Sequence, residues 1–271
     1  MTKIISSASK ETIPGSIGIF DSGIGGLTVL NTALKELPSE NYIYYADTNH
    51  VPYGEKPKEE VRKYILEAAS FFQRAEVKAL VLACNTATSI AVNELRNNYS
   101  FPIIGMEPAV KPAVERTKDK RVLVLATHLT LQEQKFKELV AKVDNEKIVD
   151  FLALPELVEF AEQFVFKPET VLPVLHRKFS HLSTDSYGTV VLGCTHFLFF
   201  KKIFAEIFSP LTDIIDGNEG TIKHLKNVLS SKNIAAKNGT GKIVYFNSGV
   251  AAENDSRFSK YLNLLNDQDK K

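Results

Sequence analysis

Residues 77–90 read VKALVLACNTATSI, and residues 187–200 read YGTVVLGCTHFLFF. Each is a short apolar run closed by a cysteine, Cys84 or Cys194, then polar side chains, then a segment of helical character. Such runs, bounded by polar turn residues, fit strands buried on both faces of a sheet. A second pair lies outside the first: SIGIFDSGIGG from Ser16 and KRVLVLATHLT from Lys120. Like motifs at comparable offsets predict two similar units. Ligands of open α/β sheets sit beyond the carboxyl ends of the strands. The two cysteines are therefore expected on facing walls of one cleft.

The rest of the chain alternates in the same way. Strands are predicted over 41–46, 121–126 and 242–246, and helices over 27–37, 59–74, 155–163, 170–179, 220–229 and 258–265. Strand–helix alternation at this spacing means βαβ units around a mostly parallel sheet. The expected fold is α/β: two similar three-layer α/β domains, mostly parallel, pseudo-symmetric across a cleft. Residues 15–108 form the first domain and 109–216 the second. Residues 1–14 are read as a flexible lead-in.

With 271 residues, 44% hydrophobic and 24% charged, the chain has ordinary globular composition and can build a core without staples. The net charge of +1 leaves no electrostatic footprint for nucleic acid. No apolar stretch reaches membrane-spanning length, and the polar start, MTKIISSASKETIPG, lacks the apolar centre of a signal peptide. A cytoplasmic protein with no membrane partner is expected. Two cysteines do not make a disulfide scaffold.

A free cysteine at a strand end is often only a packing residue. A disulfide, a metal site around Cys194-Thr195-His196 and a cysteine hydrolase are further readings. The metal reading lacks CxxC or HExxH spacing, and a hydrolase leaves one thiol unemployed. Two facing thiols fit racemisation at a carbon acid, where one group takes a proton from one face and the other delivers one to the opposite face. The base must be a thiolate, so it needs a neighbour that takes or holds a proton. Asp21 and His196 are the natural neighbours. Gly23-Ile24-Gly25-Gly26 follows a strand and opens a helix but does not match GxGxxG. Tight turning and close backbone approach account for these glycines.

With Phe20-Asp21-Ser22-Gly23-Ile24-Gly25-Gly26-Leu27, Ala46-Asp47-Thr48, Val51-Pro52-Tyr53-Gly54, Ala83-Cys84-Asn85-Thr86-Ala87 and Gly193-Cys194-Thr195-His196 in this order, the chain resembles glutamate racemase, of the cofactor-independent aspartate/glutamate racemase group. The likeness spans roughly residues 16 to 265. It implies interconversion of L- and D-glutamate without cofactor or metal, supplying D-glutamate for peptidoglycan. Racemisation of aspartate and an inactive amino-acid-binding homologue are the alternatives. By the resemblance, Cys84 takes the α-proton of D-glutamate with Asp21 as partner, and Cys194 that of L-glutamate with His196. A glutamate supports the histidine; registering the segment on Pro155 selects Glu162, with Glu159 as rival. Ser22, Pro52, Tyr53, Gly54, Asn85, Thr86, Thr127, Thr130 and Thr195 are the expected substrate contacts. The resemblance also implies a homodimer, and a tail (217–271) that returns to the first domain.

Overall fold

The computed structural model describes residues 12–117, 119–237, 239–252 and 255–269. Residues 1–11 of the expected lead-in lie outside it. Two sheets organise the chain. The first has six strands in the order β10-β9-β2-β1-β3-β4: β1 (Ile17–Asp21), β2 (Tyr42–Ala46), β3 (Ala79–Leu82), β4 (Ile103–Gly105), β9 (Ile243–Asn247) and β10 (Val250–Ala251). The second has four in the order β6-β5-β7-β8: β5 (Arg121–Ala126), β6 (Val149–Ala153), β7 (Tyr187–Leu192) and β8 (Asp213–Asp216). All pairings are parallel except β9 with β10.

The order β2-β1-β3-β4 in one sheet matches β6-β5-β7-β8 in the other. This equivalence places the cysteines. Just before Cys84, the Ala83 N–H donates to the Phe20 carbonyl of β1 at 2.8 Å. Just before Cys194, the Gly193 N–H donates to the Leu125 carbonyl of β5 at 2.7 Å. Each cysteine thus leaves the third strand of its half where that strand parts from the first.

Side-chain alternation builds the layers, since successive residues of a strand face opposite ways. Ile17, Ile19, Leu123 and Leu125 face one shared apolar core that includes residues of both sheets. Phe20, Leu80 and Leu82 face a second core with Ile65, Phe72 and Leu95 from α2 (Lys58–Arg74) and α3 (Asn85–Asn98). Val122, Val124 and Val191 face a third with Phe136. The shared core carries the aromatic side chains Phe197, Phe199, Phe200 and Phe204, which follow Cys194 in the chain. Burying an aromatic side chain of this size stabilises by about 1.5–3 kcal/mol, so the segment after Cys194 is firmly seated.

The predicted strand over 242–246 is observed at Ile243–Asn247, in register beside β2. The segment after Thr195 begins as a tight 3-10 turn, Thr195–Phe200, before the helix Lys201–Ile207. A helix over Gln134–Val143 follows a separate short helix, His128–Gln132. No described helix is long and apolar enough to cross a membrane.

Candidate active site

The sequence between β1 and α1 (Leu27–Glu36) supplies the floor of the site. Asp21 ends β1, fully buried. Its Oδ1 accepts the Gly23 N–H at 2.9 Å, and its Oδ2 accepts the Thr195 hydroxyl at 3.0 Å. The glycines here serve close approach. A Cβ on Gly23 would fall 1.8 Å from Glu162 Oε1, and one on Gly25 2.5 Å from His196 Nδ1. Only a bare backbone lets the first half lie against these side chains of the second.

Glu162 ends the helix Pro155–Glu162. Its Oε1 accepts the Ile24 N–H at 2.9 Å and lies 2.7 Å from His196 Nε2. Its rival, Glu159, points to solvent on the same helix. The Tyr261 hydroxyl, from the last helix (Ser256–Asp269), donates to the Ala161 carbonyl at 2.6 Å and braces the end of the Glu162 helix. His196 Nδ1 is 3.8 Å from the Cys194 sulfur. Carboxylate, imidazole and thiol therefore run in line from Glu162 to Cys194.

Cys84 stands differently. It caps the N-terminus of α3, its sulfur accepting the Ala87 N–H at 3.4 Å, with the Ser22 hydroxyl at 3.8 Å. Asn85 and Thr86 occupy the first turn of that helix. Asp21 makes no hydrogen bond to Cys84 among the described contacts and reaches it through space. Burial, and then the Asp21 carboxylate, push the Cys84 thiol up to about 12, against the lowering pull of the Ala87 N–H. Asp21 is itself pushed up to about 6 by burial, with His196 and its two hydrogen bonds holding it back. For His196 burial works downward. The contacts with Cys194 and Glu162 outweigh it and raise the imidazole well above its ordinary value.

One narrow cavity takes both thiols into its lining. Ser22, Pro52, Tyr53, Gly54, Asn85, Thr86, Thr127, Thr195 and His196 line it too. Asp21, Glu162 and Thr130 lie behind the lining. The Thr130 hydroxyl joins those of Thr86 and Thr127 in a buried trio, 2.9–3.0 Å apart, that bridges the halves. Tyr53 turns its hydroxyl away, onto Asp47 at 2.6 Å. Glu55, Pro155 and Val158 also line the cavity, and no motif marked them as ligands. Asn85 is buried, and its Oδ1 has no hydrogen-bond partner in the protein. Both cysteines are free thiols. Among the described residues no group of three or more His, Cys, Asp and Glu side chains could hold a metal ion.

Two pseudo-equivalent α/β halves thus each bring one thiol to the lining of a single cavity. The chain belongs to the Asp/Glu/Hydantoin racemase family, whose pattern matches residues 27–225. Similar proteins include the glutamate racemase of Halothermothrix orenii, 55% identical over 250 residues (92% of this chain, 98% of that one). Glutamate racemase 2 of Bacillus subtilis is 53% identical over 251 residues, 92% of this chain and 94% of that one. Among solved structures, a glutamate racemase of Francisella tularensis in complex with D-glutamate superposes with a TM-score of 0.79 at 26% identity. That likeness covers 92% of this chain and 93% of that one. A Bacillus anthracis glutamate racemase isoform superposes with a TM-score of 0.77 at 30% identity, over 85% of this chain and 86% of that one.

Proposed function

We propose that this chain interconverts L- and D-glutamate by transfer of the α-proton between Cys84 and Cys194, with the product D-glutamate destined for peptidoglycan. The single observation that carries this reading is the pair of free thiols, at equivalent strand ends, in the lining of one cavity. With L-glutamate the Cys194 thiolate removes the α-proton. The electron pair passes into the α-carboxylate as an enediolate, and the Cys84 thiol delivers its proton to the opposite face. D-glutamate runs the path backwards. His196, held cationic by Glu162 and Cys194, supports the Cys194 side.

The first-turn N–H groups of α3 and the turn at Thr195 suit a carboxylate. The unpartnered Asn85 Oδ1 suits the substrate ammonium, since a buried acceptor left alone costs about 1–3 kcal/mol. The same reading takes residues 15–108 with 217–271 as one domain and 109–216 as the other. It also takes the working form as a cytoplasmic homodimer, on the resemblance described above.

The test is circular dichroism of D-glutamate incubated with purified protein and no added cofactor, in parallel with D-aspartate. Loss of the glutamate signal toward zero, with solvent deuterium entering Cα, is the expected result. Preferential turnover of aspartate would replace the substrate assignment. Glutamate binding with no deuterium incorporation would mark an inactive binding protein.

A further inference from the structure

The Ala46-Asp47-Thr48 motif has no part in the chemistry above, yet Asp47 is buried beside the cavity wall. Its carboxylate collects donors from two distant segments. The Tyr53 hydroxyl donates to Oδ2 at 2.6 Å, the Ser248 hydroxyl donates to Oδ1 at 2.7 Å, and His50 Nδ1 lies 2.9 Å from both oxygens. The Asp47 N–H donates to the Asp21 carbonyl at 3.0 Å, which ties the same residue to the end of β1. Tyr53 and His50 belong to the loop whose residues Pro52, Tyr53, Gly54 and Glu55 wall the cavity. Ser248 belongs to the turn between β9 and β10, where the backbone takes positive φ at Ser248 (42°) and Gly249 (83°).

We infer that Asp47 is a positioning residue: through Tyr53, and with Ser248 as its far anchor, it sets the place of the 52–55 wall and so the fit of the substrate. This rests on the glutamate reading above. The wall has little room for error. A Cβ on Gly54 would sit 2.5 Å from the Thr127 Cβ, so the loop already touches the opposite half of the site. The Tyr53 ring is fixed as well, 6.3 Å from Phe20 and 6.1 Å from Tyr64, while His50 stacks on Tyr64 at 3.7 Å. With ring and hydroxyl both held, Tyr53 is a fixed part of the cavity wall. Freeing the hydroxyl lets the wall shift, and an ångström of misplacement is costly in a site built for proximity.

The test uses the full chain with Asp47→Asn, Tyr53→Phe, the double variant and Ser248→Ala. Asparagine keeps the size but offers one acceptor oxygen where the carboxylate offers two. Asp47→Asn is expected to raise the glutamate KM about ten-fold while kcat stays within about three-fold, as loss of a charged hydrogen bond in a positioning wall should. Ser248→Ala should move KM the same way by less. If Asp47 acts through Tyr53, the double variant is no worse than Asp47→Asn alone. A merely structural role gives the opposite split: lower melting temperature and lower kcat at unchanged KM, which overturns the inference, as do fully multiplicative effects in the double variant. Should Asp47→Asn fail to fold, Tyr53→Phe and Ser248→Ala each remove a single bond, and unchanged KM in both also overturns it. Unmodified enzyme that racemises glutamate while the variants leave KM unmoved sinks this inference alone. Unmodified enzyme that neither binds nor racemises glutamate sinks the functional reading and this inference together.

Discussion

Glu162→Gln tests the proposed acid–base line most sharply, because one oxygen of this carboxylate serves two partners. Oε1 accepts the Ile24 N–H at 2.9 Å and meets His196 Nε2 at 2.7 Å, with His196 itself buried. Glutamine keeps the shape and one acceptor but removes the charge. A hydrogen bond to a charged group is worth about 1.5–3 kcal/mol, and each 1.36 kcal/mol is about a factor of ten in rate. A loss of about ten- to a hundred-fold in kcat/KM is therefore expected. The sign of the pH effect follows from the causes of the His196 shift. Burial lowers it, and the contacts with Cys194 and Glu162 raise it well above its ordinary value. With the carboxylate gone, burial regains ground, so the imidazolium is lost at lower pH and the alkaline limb of activity moves down. The two enantiomers have equal free energy, so kcat/KM must fall equally from either side. The asymmetry of the site emerges only in a one-way reaction, such as elimination from an analogue with a leaving group. There Glu162→Gln should depress elimination from the L form more than from the D form. Glu159→Gln, at the exposed position of the same helix, is the control and should stay within about two-fold, as surface changes usually do. Racemisation by Glu162→Gln within two-fold of the unmodified rate, with an unmoved alkaline limb, would refute the reasoning.

Cys84→Ser and Cys194→Ser should each abolish racemisation in folded protein. Cys84→Ser should still eliminate from the L analogue and Cys194→Ser from the D analogue; one enantiomer serving both variants would overturn the facial assignment. In Cys194→Ser, iodoacetamide should find Cys84 almost inert at pH 8, where a thiol pushed to about 12 is ionised in only about one molecule in ten thousand. Rapid alkylation there would show that the thiol is not held protonated. Asp21→Asn should raise the melting temperature at pH 8 while impairing turnover. Burial lifts this carboxyl from 3.8 to about 6, so its contribution to stability is whole below pH 3.8 and lost as pH rises through 6. The lost contribution is up to about 3 kcal/mol. The stability gain of Asp21→Asn should fade toward pH 4, and a gain independent of pH would contradict the sign.

Much of this was legible in the letters. The strands before Cys84 and Cys194 are buried on both faces and end in unbroken apolar runs, ALVLA and VVLG. Their equivalence followed from the motif echo, and β9 was found where the apolar stretch after Lys242 put it. Besides the two-residue β10, the strands that escaped notice, β4, β6 and β8, lie at sheet edges, as β10 does. They are short (IIG, VDFLA, DIID) and the latter two carry aspartates, one of them, Asp150, held by Arg121 at 2.6 Å. An edge strand faces solvent and tolerates charge, so its sequence lacks the apolar signature that marks a central one. In the site the same division holds. Side chains that act on a reacting atom announce themselves by type, whereas Glu55, Pro155 and Val158 enter the lining only through the packing of the halves. The Ser248–Asp47 bond joins positions about two hundred residues apart, and no local pattern encodes it.

The fold is nearly symmetric about the cavity, and its electrostatics are not. Cys84 has a buried carboxylate, Asp21, as its charged neighbour, and Cys194 has an imidazole held cationic. A helix N-terminus ordinarily favours a thiolate, but at Cys84 burial and Asp21 win and favour the protonated sulfur. On the proposed path each turnover of L to D leaves the proton on the other sulfur, and the site must exchange it back before the next L molecule reacts. Thr195 connects the two sides, its hydroxyl 3.0 Å from Asp21 and 3.5 Å from His196 Nδ1. Among the described residues its hydroxyl thus joins the charged neighbour of Cys84 to that of Cys194.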